Sequence, residues 1–230
     1  VVQRRVVFRK EANIRTNMIN IQRFVCNMFE ENTYVVSDET NDAVIIDCGA
    51  LYEEERQAVV DYIKKNKLNL TAQIDTHAHF DHCCGNDTIF NTFGIKPIVH
   101  RDDKLLYNTL KQQAYDFCRI DYTKGIPDVE RFIDENDIIK FGNHQLTVIH
   151  TPGHTPGSML LYSEREHLCF SGDTLFRFSI GRTDFPGGSF EEMTKSLKKI
   201  AGLPENTVVL PGHGDQTTIR EELEMNPYMK

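Results

Sequence analysis

The densest group of potential metal-binding side chains is "THAHFDH", residues 76–82, which holds three of the nine histidines of the chain. Imidazole and carboxylate groups are the usual ligands of divalent transition metals. On an extended segment His77 and His79 point to the same side and can bind one ion together, whereas Asp81 and His82 follow as the chain turns. The spacing therefore offers ligands for two adjacent ions. A solvated polar loop or a set of hydrogen-bonded core histidines is the alternative, but crowding histidines brings no packing benefit.

Three further candidate ligands stand at the ends of apolar strands, each beside glycine. They are His154 in "IHTPGHTPGS", Asp173 in "CFSGDTLF" and His213 in "VVLPGHGD". Each alone is typical of an ordinary loop, but glycine lets the backbone approach a compact centre closely, and together they predict a site built from several segments. The histidines outside these motifs are interpreted as strand or surface residues: His100, His144, His150 and His167.

The elements that must position these side chains alternate between short apolar strands and amphipathic helices. Helical spacing predicts helices in "EEERQAVVDYIKKN", "NDTIFNTFG", "DDKLLYNTLKQQAYDFC" and "SFEEMTKSLKKI", the last with Ser189 as its cap. Strands are predicted in "TYVVSDETNDAVIID", "AQIDT", "PIVH", "DIIKFGNHQLTVIHT", "SMLLYS", "HLCFSGDT" and "TVVLPGHG". This mixture in both halves indicates sheet layers covered by helices, with "TKGIPDVERFIDEN" as a linker between the halves.

Composition limits the classes of function. The net charge of −8 argues against nucleic-acid partners, and apolar runs are far shorter than the ~20 residues of a membrane span. Residues 1–17 are basic and are expected to be an added leader before Met18, or else an extra edge strand, leaving 18–230 as one domain. None of the six cysteines forms a Cys-x-x-Cys pair, so free thiols in a reducing cytoplasm are expected, with Cys83 and Cys84 as small packing residues.

The motifs "THAHFDH", "GHTPGS", "SGDTLF" and "PGHG", in this order, resemble the metallo-β-lactamase superfamily over about residues 32–213. That resemblance implies an α/β fold, a four-layer αββα sandwich with a two-metal site at one rim. By the same resemblance the first ion is held by His77, His79 and His154, the second by Asp81, His82 and His213, and Asp173 bridges both. The cofactors implied are two divalent ions, with zinc favoured over iron or manganese.

Two ions held about 3.5–4 Å apart can share a hydroxide that attacks a carbonyl carbon, with Asp81 as ligand and catalytic residue that orients the hydroxide. The stretch "DTLFRFSIGRTDFPGGS" and the tail "GHGDQTTIREELEMNP" resemble the short, single-domain glyoxalase II-like branch, the hydroxyacylglutathione hydrolases. The expected reaction is hydrolysis of a small-molecule thioester to a hydroxy acid and a thiol. Arg182 is a candidate for substrate binding, or it pairs with Asp184 and holds its loop in shape.

Other activities stay open for this set of residues. Persulfide dioxygenases have a related "GRTDF" stretch and use one iron, which His77, His154 and Asp173 would hold, with Asp81 and His82 as hydrogen-bonding neighbours. A phosphodiesterase or a lactonase of the same fold is a further alternative, as is a metal-binding module without catalysis. The seven occupied ligand positions favour two ions and a hydrolase.

Overall fold

The first of two large sheets is built from the first part of the chain. The structure is a computed structural model that describes residues 14–15 and 19–230, so the predicted leader lies outside the described residues except for Ile14–Arg15. The sheet has seven described strands in sequence order: β1 (Ile14–Arg15), β2 (Ile19–Cys26), β3 (Glu31–Asp38), β4 (Asp42–Ile46), β5 (Asn69–Ile74), β6 (Pro97–His100) and β7 (Arg131–Ile133). Strands β1 to β4 pair antiparallel and β4 to β7 pair parallel.

The second sheet is built from the remainder of the chain. Its described strands are β8 (Ile138–Phe141), β9 (His144–His150), β10 (Met159–Ser163), β11 (Leu168–Gly172), β14 (Val208–Pro211) and β15 (Thr217–Thr218), with β12 (Leu175–Phe176) and β13 (Ser179–Ile180) forming a separate ribbon. The order across the sheet is β15-β14-β11-β10-β9-β8, and β11 pairs parallel to β14. Strands β9, β11 and β14 therefore run in one direction and end at the same edge of the sheet.

Helices cover the outer face of each sheet. The described α-helices are α1 (Glu53–Lys65), α2 (Phe80–Cys83), α3 (Asn86–Phe93), α4 (Lys104–Tyr107), α5 (Leu110–Cys118), α6 (Phe190–Ile200) and α7 (Ile219–Met225), with 3-10 turns at Arg101–Asp103 and Pro227–Met229. Gly94 ends α3 in the left-handed conformation and, as predicted, the Ser189 hydroxyl caps α6. No helix in the described part of the chain is long and apolar enough to span a membrane.

Strand side chains alternate between cores, which defines the layers. In β3, Tyr34 and Val36 face the core between the sheets, whereas Val35 faces the core beneath α1 and α3. In β11, Phe170 faces the core between the sheets and Cys169 faces the core beneath α6. Because side chains of a strand point alternately to opposite faces, such apolar strands require cover on both sides. The layers are helix, sheet, sheet, helix, and the predicted αββα sandwich is confirmed.

Two sequence predictions about local structure are wrong. The single helix predicted over residues 102–118 is divided into a 3-10 turn, α4 and α5, since the Thr109 hydroxyl donates to the Leu106 carbonyl where the helices separate. The predicted linker contains β7, which pairs with β6 and completes the first sheet. All six cysteines lie within the described residues as free thiols, and both Cys83 and Cys84 are buried.

Hydrogen bonds join the two sheets at one rim. The backbone N–H of Asn32 donates to the Gly212 carbonyl (2.7 Å), and its side-chain amide donates to the Pro211 carbonyl (2.9 Å). The Tyr34 hydroxyl, at the edge of the core between the sheets, donates to the same Pro211 carbonyl (2.8 Å). These bonds fix the end of β14 against β3 and thereby set the relative position of the loops at this rim.

Candidate metal centre

The first sheet delivers four of the candidate ligands through one short segment. Strand β5 ends at Ile74, the chain bends at Thr76 and His77, His79 has extended backbone, and α2 begins at Phe80. The start of α2 after His79 separates the histidine pair from Asp81 and His82, as the sequence predicted. The Ala78 N–H between the paired histidines donates to the buried Asp103 carboxylate (2.9 Å), which holds the segment in place.

The second sheet delivers the other three candidates from the ends of parallel-running strands. His154 lies in the loop after β9, Asp173 directly follows β11, and His213 follows β14. Since these strands end at the same edge, three residues far apart in sequence arrive together opposite the segment from the first sheet. The structure therefore brings all seven predicted residues to one place at the rim of the sandwich.

The seven side chains form two groups with a carboxylate between them. In the first group, potential ligand atoms of His77, His79 and His154 lie within 4.8 Å of one another, and His79 Nδ1 is 2.9 Å from His154 Nε2. In the second group, His213 Nε2 is 3.2 Å from His82 Nε2 and 3.3 Å from Asp81 Oδ2.

Asp173 connects these groups through both of its oxygens. Its Oδ2 is 3.5 Å from His154 Nε2 and 3.6 Å from His213 Nε2, and its Oδ1 is 3.4 Å from His82 Nε2. A carboxylate with one histidine group on each side has the geometry of a bridge between two cations.

The residues present fit a pair of divalent cations. His77 is only 1% exposed, yet its buried Nε2 has no hydrogen-bond partner among the described residues. A buried ring nitrogen without a partner costs free energy unless another group binds it. Facing ring nitrogens lie 2.9 Å apart in His79 and His154 and 3.2 Å apart in His82 and His213. A cation can bind the lone pairs of both nitrogens in such a pair, whereas a hydrogen bond between them requires that they share one proton. Five imidazoles and two carboxylates match the donor preferences of zinc, iron and manganese.

Four of the five histidines are held in orientation by a contact on the side of the ring that faces away from the centre. Their Nδ1 atoms contact oxygen atoms of the protein, and their Nε2 atoms face the centre. These contacts are Thr76 Oγ1 with His77 (3.2 Å), Asp47 Oδ2 with His82 (3.0 Å), the Arg182 carbonyl with His154 (2.7 Å) and the Phe29 carbonyl with His213 (2.9 Å). Such contacts fix the tautomer and the ring orientation of metal-binding histidines. His79 differs, since its Nδ1 faces the centre.

Asp47 was missed by the sequence analysis although it supports the centre directly. It is 2% exposed and accepts hydrogen bonds from the Thr76 backbone (2.6 Å) and the Thr76 hydroxyl (2.8 Å) as well as contacting His82. Its φ of 50° places it in the left-handed region, which asparagine and aspartate tolerate better than most residues. The only signal in the sequence is an aspartate at the end of the apolar run "AVIID".

Asp103 was missed as well, and it joins the ligand segments of the two sheets. Besides the Ala78 N–H, its carboxylate accepts hydrogen bonds from the Thr155 hydroxyl (2.8 Å) and the Gly157 N–H (2.7 Å). Thr155 follows the candidate ligand His154, so one buried carboxylate holds both histidine-bearing loops.

The electrostatics of the centre in the absence of metal divide the histidines into two kinds. Burial, reinforced by the neighbouring His154, lowers the pKa of His79 to about 3, and burial lowers the pKa of His77 well below its usual value. Burial acts in the same direction on His82, but the carboxylates of Asp173, Asp81 and Asp47 outweigh it and hold that pKa well above 6.5. His77 and His79 are thus ready as neutral ligands, whereas His82 must lose a proton to a cation.

A cavity of about 360 Å³ opens in front of the centre and is bordered by Asp81, Asp173 and His213 together with aromatic side chains. Arg182 also borders it, but its guanidinium donates two hydrogen bonds of 2.7 Å to the Asp184 carboxylate and lies 3.9 Å from the centre of the Phe185 ring. The geometry corresponds to the ion pair considered in the sequence analysis, and the substrate-binding role of Arg182 stays a prediction.

Among the histidines outside the motifs, His100 and His150 stack on each other with ring centres 4.0 Å apart. His144 is buried and contacts the Glu166 carboxylate (2.9 Å), and His167 is exposed in the turn before β11. These residues lie outside the seven-residue cluster, in agreement with their interpretation as strand or surface residues.

An αββα sandwich with clustered histidines and aspartates at one rim defines a class of metal-binding hydrolases. The chain belongs to the metallo-beta-lactamase superfamily, whose family model matches residues 27–213. It is 31% identical over 219 residues to the hydroxyacylglutathione hydrolase GloC of Haemophilus influenzae, with 92% of this chain and 98% of that protein covered.

Two solved structures extend the comparison. The B3 metallo-beta-lactamase BLEG-1 matches with a TM-score of 0.83 and 32% identity, covering 91% of this chain and 99% of that chain. The di-iron-bound form of TTHA1623 matches with a TM-score of 0.79 and 32% identity, covering 90% and 99%. The predicted superfamily is confirmed, and the centre lies where the family's sequence motifs converge.

Proposed function

We propose that this protein is a hydrolase of small-molecule thioesters that uses two divalent cations, with zinc as the favoured metal. His77, His79 and His154 would hold one cation, Asp81, His82 and His213 the other, and Asp173 both. The observation that carries the proposal is the position of Asp173, whose two oxygens lie 3.4–3.6 Å from histidines of both groups.

Cations in this donor set would supply a hydroxide at neutral pH and polarise a carbonyl oxygen. The side chains of the protein orient the attacking water and the bound carbonyl group. Asp81 is the more exposed of the two carboxylates in the centre, and it borders the cavity, so it can accept a hydrogen bond from an attacking water and direct it. Phe29, Phe117 and Phe185 line the cavity and would give a bound carbonyl group an apolar surrounding.

Thioesters are supported as substrates by the relationship to GloC, whose name describes hydrolysis of hydroxyacylglutathione. Hydrolysis consumes one water, forms a bond between the carbonyl carbon and the oxygen of water, breaks the bond between the carbonyl carbon and sulfur, and releases a carboxylate, a thiol and one proton. Because a thiol is a good leaving group, the protein needs no dedicated general acid for it. The cavity of about 360 Å³ is within the usual range for small-molecule sites.

The test combines elemental analysis with steady-state assays on the full chain loaded with zinc, iron or manganese. We expect two metal ions per chain and hydrolysis of at least one thioester in a panel that includes S-lactoylglutathione. His79→Ala and Asp173→Ala should each bind less metal and lose about 10³-fold or more in kcat, because the nucleophile depends on the ions. His167→Ala, which changes an exposed histidine outside the centre, is the matched control.

Two results would contradict the proposal. The ligand assignment is wrong if His79→Ala and Asp173→Ala keep full metal content and rate. The proposed reaction is wrong if the metal-loaded protein hydrolyses no thioester. One iron per chain together with oxygen uptake in the presence of a persulfide would support the dioxygenase alternative. A β-lactam belongs in the same panel, because the chain is 32% identical to BLEG-1.

A further inference from the structure

A second cavity of about 470 Å³ lies along α5, beside the cavity in front of the centre. The linings of the two cavities share His79, Gln113, Phe117 and Phe185. Since His79 belongs to the centre, the second cavity lies next to the candidate metal ligands, and we call the two adjoining cavities together the groove. A substrate whose reacting carbonyl lies at the centre can therefore extend into the second cavity.

The second cavity presents an apolar surface that we call the apolar shelf: Leu105, Leu106, Phe117, Phe185 and Pro186. Leu105 is 79% exposed and Phe117 is 51% exposed, although both are large apolar side chains. Phe185 connects the shelf to the centre, because its ring centre lies 5.5 Å from that of His79 and 5.1 Å from that of Phe117. An apolar surface left open beside a reaction centre marks a site for an apolar ligand group.

The charges along the groove disfavour an anionic ligand. The shelf is flanked by the carboxylates of Asp102 and Asp116. Among the residues that the structure describes, Arg182 is the single arginine or lysine in the lining of either cavity, and its guanidinium is already paired with Asp184. A substrate arm that carries carboxylates, such as the glutathione moiety, would meet like charge there and would find no free guanidinium or ammonium group among the lining residues.

We infer that the apolar shelf binds an apolar acyl chain, so that the preferred substrates are uncharged thioesters of aliphatic acids and not conjugates of glutathione. This inference rests on the proposed thioester hydrolysis and specifies its substrate. The acyl chain is the part of a thioester without polar atoms, and burial of its methylene groups against Leu105 and Phe117 supplies binding free energy. The reaction at the carbonyl group is unchanged: water adds, the C–S bond breaks and the thiol leaves with a proton.

The first experiment measures kcat/KM of the metal-loaded protein for N-acetylcysteamine thioesters with acetyl, butyryl and hexanoyl groups. Each buried methylene is expected to raise kcat/KM about two- to fourfold, so the hexanoyl thioester should exceed the acetyl thioester at least about tenfold. Phe117→Ala should reduce this hexanoyl-to-acetyl ratio at least about fivefold. Tyr115→Ala, an exposed aromatic change on the same helix outside the linings of both cavities, should leave the ratio unchanged.

The second experiment tests charge with S-lactoylglutathione and the uncharged S-lactoyl-N-acetylcysteamine, which share one acyl group. The uncharged thioester should have the higher kcat/KM. Asp116→Lys should raise kcat/KM for the glutathione thioester about two- to threefold at low salt and leave the uncharged one unchanged. Asp61→Lys is the matched control, because both carboxylates accept a hydrogen bond from a glutamine one helical turn earlier, Gln57 for Asp61 and Gln112 for Asp116.

The outcomes separate the inference from the function on which it rests. Equal rates for acetyl and hexanoyl thioesters, or a preference for S-lactoylglutathione over its uncharged counterpart, would overturn the role of the shelf while thioester hydrolysis stands. A metal-loaded protein that hydrolyses none of these thioesters would overturn both. A ratio that falls equally in Phe117→Ala and Tyr115→Ala would show that α5 acts through stability, and the shelf would again be excluded.

Discussion

The carboxylate of Asp47 lies behind the centre, and replacing it with asparagine tests whether it controls His82. The Oδ2 atom of Asp47 faces two protons, those of the Thr76 hydroxyl and His82 Nδ1, at 2.8 and 3.0 Å. Asparagine keeps the shape and tolerates the φ of 50°, so the backbone should stay in place. With an amide NH₂ at the Oδ2 position, His82 must accept a hydrogen bond at Nδ1, so the neutral ring would carry its proton on Nε2, the atom that faces the centre.

The magnitude follows from that change of tautomer. In the variant no carboxylate lies behind the ring to stabilise the form of His82 that binds a cation through Nε2 while keeping its proton on Nδ1. Loss of such a supporting partner typically costs about 10–100-fold in metal affinity, which corresponds to about 1.4–2.7 kcal/mol. The Thr76 hydroxyl can rotate and accept a hydrogen bond from the new side-chain amide at position 47. The substitution should therefore change the free energy of unfolding only a little. We therefore expect Asp47→Asn to weaken the more weakly bound ion by 10–100-fold.

The assay is a titration of metal-free protein against a competing chromophoric chelator at pH 7.5, paired with thermal unfolding of the metal-free form. Asp38→Asn is the matched control, because Asp38 is also buried and accepts three hydrogen bonds, two from Thr40 and one from Asn143. Asp38 ends β3 and lies roughly 20 Å along the strand from the rim. Unchanged metal affinity in Asp47→Asn, or an equal loss in both variants, would refute the reasoning.

Two further predictions concern protons and backbone. Because the carboxylates around His82 outweigh its burial and keep it protonated at pH 7 without metal, metal binding should release about one proton from it. Calorimetry in two buffers of different ionisation enthalpy measures this, and a binding enthalpy independent of buffer would contradict it. Gly172→Ala should lower the free energy of unfolding by about 2–3 kcal/mol in urea titrations, because φ is 49° and the new Cβ would lie 2.3 Å from Thr76 Oγ1. Gly94→Ala, with φ of 77° and open space, should cost only about 1 kcal/mol, and equal losses would argue against the steric contact.

The parts of the site that could be predicted from the sequence are those encoded in short segments. The separation of the pair His77 and His79 from Asp81 depends on the start of α2 at Phe80, so local spacing sufficed to predict it. His154 and His213 were recognisable because each follows an apolar strand and a Pro-Gly turn, and strand ends gather at one edge.

The features that escaped prediction depend on contacts between distant segments. Asp47 acquires its role only because β4 lies beside β5, which brings its carboxylate to His82. The helix around Thr109 has continuous helical spacing in the sequence, and its break arises from a side-chain hydrogen bond to Leu106. The apolar shelf likewise combines Phe117 and Phe185 from different halves of the chain, and no local pattern records their contact.

The division of the ligands between the two sheets has a consequence for how the site comes into being during synthesis. His77 to His82 leave the ribosome about 130 residues before His213, which at ordinary elongation rates is a delay of roughly 6–26 s. During that interval the nascent chain presents an incomplete set of ligands to the metals of its surroundings. Full metal affinity then arrives with the docking of β14 against β3, so metal acquisition reports the moment at which the two halves of the sandwich join.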